Sequence, residues 1–172
     1  MAPIMNENPV FEPAQEDPSG CRPAVAVEIP IRKSTVASDL PYPEYATPGS
    51  SGVDLIAANT EPIILRRGEI SLVPTGLSLA LPLGLEAQVR ARSGLALKHG
   101  VTLVNGPGTI DADYRGEIGV ILTTLKDEPF VINRGDRIAQ MVFAPVVQAG
   151  FVAVDELPDS KRGTGGFGHT GV

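Results

Sequence analysis

Leu85-Glu-Ala-Gln-Val-Arg-Ala-Arg92 alternates apolar and polar side chains without a break. Successive side chains of a strand point to opposite faces, so this stretch predicts a strand with one face on a core and one on solvent. Outward from it, short apolar segments recur between Gly and Pro punctuation. They predict further strands at residues 24–31, 52–57, 63–65, 69–81, 102–104, 116–125, 130–132, 140–145 and 151–154. With 19 Gly and 16 Pro spread between them, long helices have little room. The one helical segment is Ser93-Gly-Leu-Ala-Leu-Lys-His-Gly100, one or two turns long, with Ser93 as N-cap and Gly100 as its stop. The fold class is therefore all-β, and no internal repeat is present.

A chain of 172 residues with 42% apolar content is enough for one domain with one core. Aromatic residues make up 5% and Trp is absent, so that core must be filled by Val, Ile, Leu and Ala. A net charge of −6 excludes the broad basic face of a nonspecific nucleic-acid binder, although a few local Arg residues still suffice for a small anion. Cys21 is the single cysteine, so no internal disulfide forms, zinc-ligand spacing is absent, and a reducing compartment is expected. Residues 1–22 are rich in Pro and acidic side chains, lack the pattern of a targeting segment, and read as a disordered leader. No apolar run approaches the ~18 residues of a membrane span, which predicts a soluble, cytoplasmic protein without membrane contact. Residues 23–158 form the predicted β domain. Residues 159–172 are Gly-rich, cannot pack a core, and are expected to form a mobile arm.

Three segments could carry chemistry. Ala91-Arg-Ser-Gly-Leu-Ala96 lies at a strand-to-helix junction, where unpaired backbone N–H groups, the Arg92 guanidinium and the Ser93 hydroxyl could cradle phosphate; a plain capped turn is the alternative. Asn105-Gly-Pro-Gly-Thr-Ile-Asp-Ala-Asp-Tyr-Arg-Gly116 places Asp111 and Asp113 two apart, on one face if the segment is extended. Turn capping by either Asp explains the same residues. In the tail, Arg162 and Phe167 are separated by flexible glycines and could close over a ligand, guanidinium on phosphate and ring on base, or could belong to an inert end.

Together with Pro48-Gly-Ser-Ser-Gly-Val-Asp-Leu55, Arg134-Gly-Asp-Arg-Ile-Ala-Gln-Met-Val-Phe143 and Arg162-Gly-Thr-Gly-Gly-Phe-Gly-His-Thr-Gly171, these segments resemble the five ordered motifs of the trimeric dUTPases over roughly residues 24–172. The resemblance implies a β-clip or jelly-roll-like distorted barrel, assembled as a homotrimer with active sites at the subunit interfaces and a flexible C-terminal arm. It implies hydrolysis of dUTP to dUMP and pyrophosphate, lowering dUTP and supplying dUMP for thymidylate synthesis. Asp111 matches the general base. Arg92, Ser93, Gly94 and Gln140 match phosphate contacts. Asn105, Thr109, Ile110 and Gly119 match the nucleoside site, with uracil read by Asn105 and the hairpin backbone. Tyr114 matches the residue against the deoxyribose, and Asp113 is structural. Arg162, Phe167, Gly168 and His169 match the arm that covers the substrate. The cofactor implied is Mg2+, held mainly by the substrate phosphates and reached by Asp54 through water. Two rivals follow from the same fold. A dCTP deaminase would need a Glu where this chain has Ile121, and a non-catalytic dUTP sensor would be expected to have lost Asp111 or the arm.

Overall fold

The computed structural model describes residues 27–166. Eleven strands, one α-helix and one 3-10 turn make up the regular structure of that span, an all-β, jelly-roll-like arrangement. The decisive stretch forms β6 (Leu85–Arg90), buried at Leu85, Ala87 and Val89 and open at Arg90, as its alternation predicts. β6 lies inside a four-stranded antiparallel sheet with β2 (Val53–Ile56), β8 (Gly108–Ile110) and β11 (Arg137–Pro145), in the order β2-β11-β6-β8. A second sheet, in the order β4-β9-β7, holds β4 (Ser71–Pro74), β7 (Val101–Leu103) and β9 (Gly119–Thr124). Two two-stranded ribbons complete the set. One pairs β1 (Ile31–Lys33) with β5 (Leu77–Leu79), the other β3 (Ile63–Leu65) with β10 (Phe130–Ile132).

The inward side chains of all four sheets meet in one aliphatic cluster that includes Leu55, Leu65, Val73, Val120, Leu122, Ile132, Ile138 and Met141, each at most 1% exposed. With no Trp and few Phe or Tyr, shape complementarity among branched aliphatic side chains supplies the close packing. Two buried hydroxyls are tied in: Thr75 Oγ1 donates to the Ile118 carbonyl at 2.6 Å and Thr124 Oγ1 to the His99 carbonyl at 2.9 Å. Arg134 braces three segments, donating to the carbonyls of Ala58 and Val36 and to Asp39. That guanidinium, through its hydrogen bond first, holds the Asp39 carboxyl below the ordinary aspartate range.

Several sequence expectations are corrected. The strand predicted over 69–81 is two strands, because Gly76 turns the chain at φ 67 and a side chain there would run into Ala37. β8 was not anticipated: its three residues sit amid turn formers and alternate only briefly. The segment after Asp111 is a turn, closed by Tyr114 N–H to the Asp111 carbonyl at 3.2 Å, so the shared-face argument for Asp111 and Asp113 does not hold. β8 and β9 belong to different sheets, and the hairpin expected around the uracil site is a crossing between sheets. The helix α1 (Ser93–His99) has Arg92 as N-cap and Ser93 as its first residue, with Gly100 left-handed at its end. The strand expected at 151–154 is absent: Phe151 and Val152 are 97% and 84% exposed and, among the described residues, no strand runs beside them. Residues 1–22, and the first part of the strand predicted at 24–31, lie outside the described residues; that strand begins at Ile31.

Candidate active site

The register of the four-stranded sheet builds one end of the candidate site. Gln140 of β11 stands between Asp54 of β2 and Arg90 of β6. Just past β6 the chain leaves the sheet and opens α1, which brings Arg92, Ser93 and Gly94 beside them. Asp54, Arg92, Ser93, Gly94, Arg137 and Gln140 all line one open depression of about 760 Å3. Arg92 Nε meets Asp54 Oδ1 at 2.9 Å, and Arg137 meets Oδ2 at 3.1 Å. Arg92 also donates to the Arg137 carbonyl at 3.1 Å, and Gln140 Nε2 to the Ala91 carbonyl at 3.0 Å. Both carboxylate oxygens of Asp54 are thus taken by guanidinium groups, in a pocket where Asp54 and Arg92 keep only about a quarter of their side-chain exposure (26% and 27%). Such charge-assisted contacts fix a cation far better than a solvated Arg is fixed.

Arg137 was not anticipated. Counting back by twos from the buried Met141 and Ala139 puts residue 137 on the inner face, but a β-bulge shifts the register between Arg137 and Ala139, both Ile138 and Ala139 turn inward, and Arg137 comes out beside Asp54. Lys98 and His99 were also missed, and both line the same depression. A signal existed: Lys98 lies four residues after Gly94, and residues so spaced share a helix face. The His99 ring is held against Phe130, with centroids 4.9 Å apart.

The remaining candidates sit elsewhere. β8 pairs with β6 from Gly108 opposite Val89 to Ile110 opposite Ala87, so the chain reaches Asp111 at the far end of β6 from Arg92. Asp111, Asp113, Tyr114 and Gly119 are exposed around this turn, as are Asn105 and Thr109 on the approach to it. Ile110 is 8% exposed with its side chain in the core, leaving only its backbone to line a site. Arg162 closes its own turn, donating to the Gly165 carbonyl at 2.6 Å, and does not line the phosphate depression. Phe167, Gly168 and His169 lie outside the described residues.

Two half-sites, one cationic and one carrying an exposed carboxylate over a turn, therefore stand at opposite ends of one strand. A model of the dUTPase family matches residues 38–171. The chain belongs to the dUTPase family. Among solved structures it is similar to the dUTPase of Staphylococcus bacteriophage 80alpha with dUPNHPP, at 25% identity over 84% of this chain and 99% of that one, TM-score 0.73. A variant of the same phage enzyme with dUpNHpp gives 24% identity over 84% and 99%, TM-score 0.74. A variant of the dUTPase from phage phi11 of S. aureus, described for its coordination of a structural Mg(II) ion, gives 23% over 76% and 98%, TM-score 0.66.

As a dUTPase this chain hydrolyses dUTP to dUMP and pyrophosphate. The deaminase and sensor alternatives find no support: Ile121, where an acid would be required, is an aliphatic residue of β9 paired with Leu72. dUTPases are metal-dependent, and trimeric assembly is typical of them. No helix among the described residues is long and apolar enough to cross a membrane.

Proposed function

We propose that this chain hydrolyses dUTP in sites assembled between the subunits of a homotrimer, with Asp111 of one subunit facing the Arg92 end of another. The observation that carries this reading is the β6 register. Asp111 follows Ile110, which pairs with Ala87, so it comes level with Glu86, six residues before Arg92. At ~3.3 Å per residue the separation is roughly 20 Å. A base acting at the α-phosphorus and a cation holding the same triphosphate must be much closer than that. A second observation agrees: Val147, Phe151, Val152 and Leu157 are each at least 84% exposed, an apolar run that another subunit would cover.

In such a site the triphosphate lies against Arg92, Ser93, Gly94 and Gln140. Asn105, Thr109, Gly119 and the backbone of Ile110 surround the uracil, and Tyr114 backs the deoxyribose. Groups placed for uracil meet reversed donors and acceptors on cytosine, and each unpaired buried group costs ~1–3 kcal/mol. Among the described residues no group of three or more His, Cys, Asp or Glu could cage a metal, and the depression offers only Glu44 and Asp54 as carboxylates. That donor set fits Mg2+ held chiefly by the phosphates and keeping waters, Asp54 being reached through one of them. When bound, the ion neutralises charge on the departing pyrophosphate. The Asp111 carboxylate takes a proton from water as its oxygen attacks the α-phosphorus in line. The bond from that phosphorus to the α–β bridging oxygen breaks, and pyrophosphate leaves. Residues 159–172 act as a lid, with Arg162 and His169 toward phosphate and Phe167 and Gly168 over the base.

Mixing two inactive variants tests the assembly. Asp111→Asn and Arg92→Ala chains, unfolded together and refolded, should regain about a quarter of the unmutated activity, because random assembly gives that share of sites both intact residues. If mixed trimers form and stay inactive, both residues act within one subunit and the interfacial reading fails.

A further inference from the structure

The turn that carries Tyr114 is built to hold its ring still. The hydroxyl donates to the Glu117 carbonyl at 2.9 Å, which folds the side chain back over its own turn. Room for this exists only because residue 116 has no side chain. A methyl group at Gly116 would overlap the ring's hydroxyl end, lying 2.5 Å from Cζ and 2.9 Å from Cε2 of Tyr114, and meets no nearer backbone atom. The far side of the turn is fastened to the junction of β4 and β5. Gly76 N–H donates to the Glu117 carboxylate at 2.8 Å, and Ile118 N–H donates to the Leu77 carbonyl at 2.8 Å. Glu117 is therefore fixed independently of the ring that its carbonyl anchors.

From this geometry we infer that Gly116 is a specificity-determining position: its missing side chain is the seat on which the Tyr114 ring is pressed into the place where it excludes a ribose 2′-hydroxyl. The inference rests on the reading that Tyr114 backs the deoxyribose, and deepens it. One hydroxyl is a small difference to reject. A ring free to swing yields to it, whereas a ring wedged between a carbonyl anchor and a bare backbone does not. Gly116 is not among the positive-φ glycines, so alanine is tolerated by the backbone there. What must give way is the end of a half-exposed side chain. Gly116→Ala should lift the ring off its seat and out of reach of the Glu117 carbonyl, with the fold intact.

The experiment compares kcat/KM for dUTP and UTP in the full-length protein, its Gly116→Ala variant and its Tyr114→Ala variant, with thermal melting of each. Gly116→Ala is expected to lower the dUTP/UTP ratio by about tenfold or more, the scale on which steric pockets discriminate small groups, with the melting temperature kept. A ratio unchanged within twofold, or raised, overturns the inference. So does a variant that loses its cooperative melt, since the backbone and not the ring would then have yielded. Tyr114→Ala separates the two levels of the argument. If it leaves the ratio unchanged, the sugar-contact reading itself fails; if it collapses the ratio while Gly116→Ala does not, only the seat fails.

Discussion

The two ends of β6 are made differently. At the Arg92 end, three strands and a helix start converge, and the charged groups are already paired: the Asp54 carboxylate holds two guanidinium groups, one of which also donates to the Arg137 carbonyl, while the Gln140 amide donates to the Ala91 carbonyl. At the Asp111 end the bonds run from backbone to backbone, hold Tyr114 and Arg115 to their own turn, or tie the Glu117 carboxylate to Gly76 N–H, and among the described residues the Asp111 carboxylate has no hydrogen-bond donor. A phosphate cradle must keep several cations together before the substrate arrives, and internal partners accomplish that without ligand. A general base needs the opposite, a carboxylate left open to water. On the proposed reading, the difference separates a preassembled binding half from a reactive half that awaits its complement.

The harshest way to break the comparison is at the reactive half. Asp111→Asn keeps shape and neighbours but cannot accept a proton, so kcat should fall ~10²–10⁴-fold while dUTP binding, read by calorimetry, persists. Comparable losses in affinity would move Asp111 into the binding half. Next, deletion from Lys161 onward removes no strand and no core residue among the described residues, so melting and subunit number should hold. Turnover should nonetheless drop roughly 10–100-fold, as uracil stacking and water exclusion disappear. Unchanged turnover would mean the substrate needs no lid. The mildest test sharpens the other half. Arg137→Ala, leaving Arg92 with a less restrained Asp54, should raise KM for dUTP about tenfold with a smaller change in kcat. Asp54→Asn should do likewise, and the double variant should cost well under the sum of the two, because the residues act through one contact. Additive losses would show Arg137 and Asp54 working independently.

The sequence made the phosphate half partly legible and the reactive half less so. Arg92, Ser93 and Gly94 could be placed because a period-two strand running into a helix fixes where the chain leaves the sheet. Gln140 was placed by its motif alone, since the burial pattern of β11 around it is irregular. Arg137 could not be placed by counting, since one extra residue at the bulge reverses every side chain before it. Asp111 matched its motif, but the motif says nothing of the sheet in which β8 lies, and the residues after it left an extended run and a turn both open, of which the turn is found. Pairing with β6 is a long-range choice that local propensity does not encode. Phe151 and Val152 mark a further limit. Their apolar character predicts a strand, yet a strand needs a neighbour to pair with, and the described residues provide none there.

Between Ile110 and Gly119 the chain passes from one sheet to the other, and it is buckled at both ends, by the β6 pairing on one side and by Gly76 and Leu77 on the other. A strap of this kind feels the spacing of what it joins. Asp111 and Tyr114 both ride on that strap, so on the proposed reading whatever moves one sheet against the other moves the general base and the sugar-contacting ring together, while the paired charges of the phosphate cradle lie outside it.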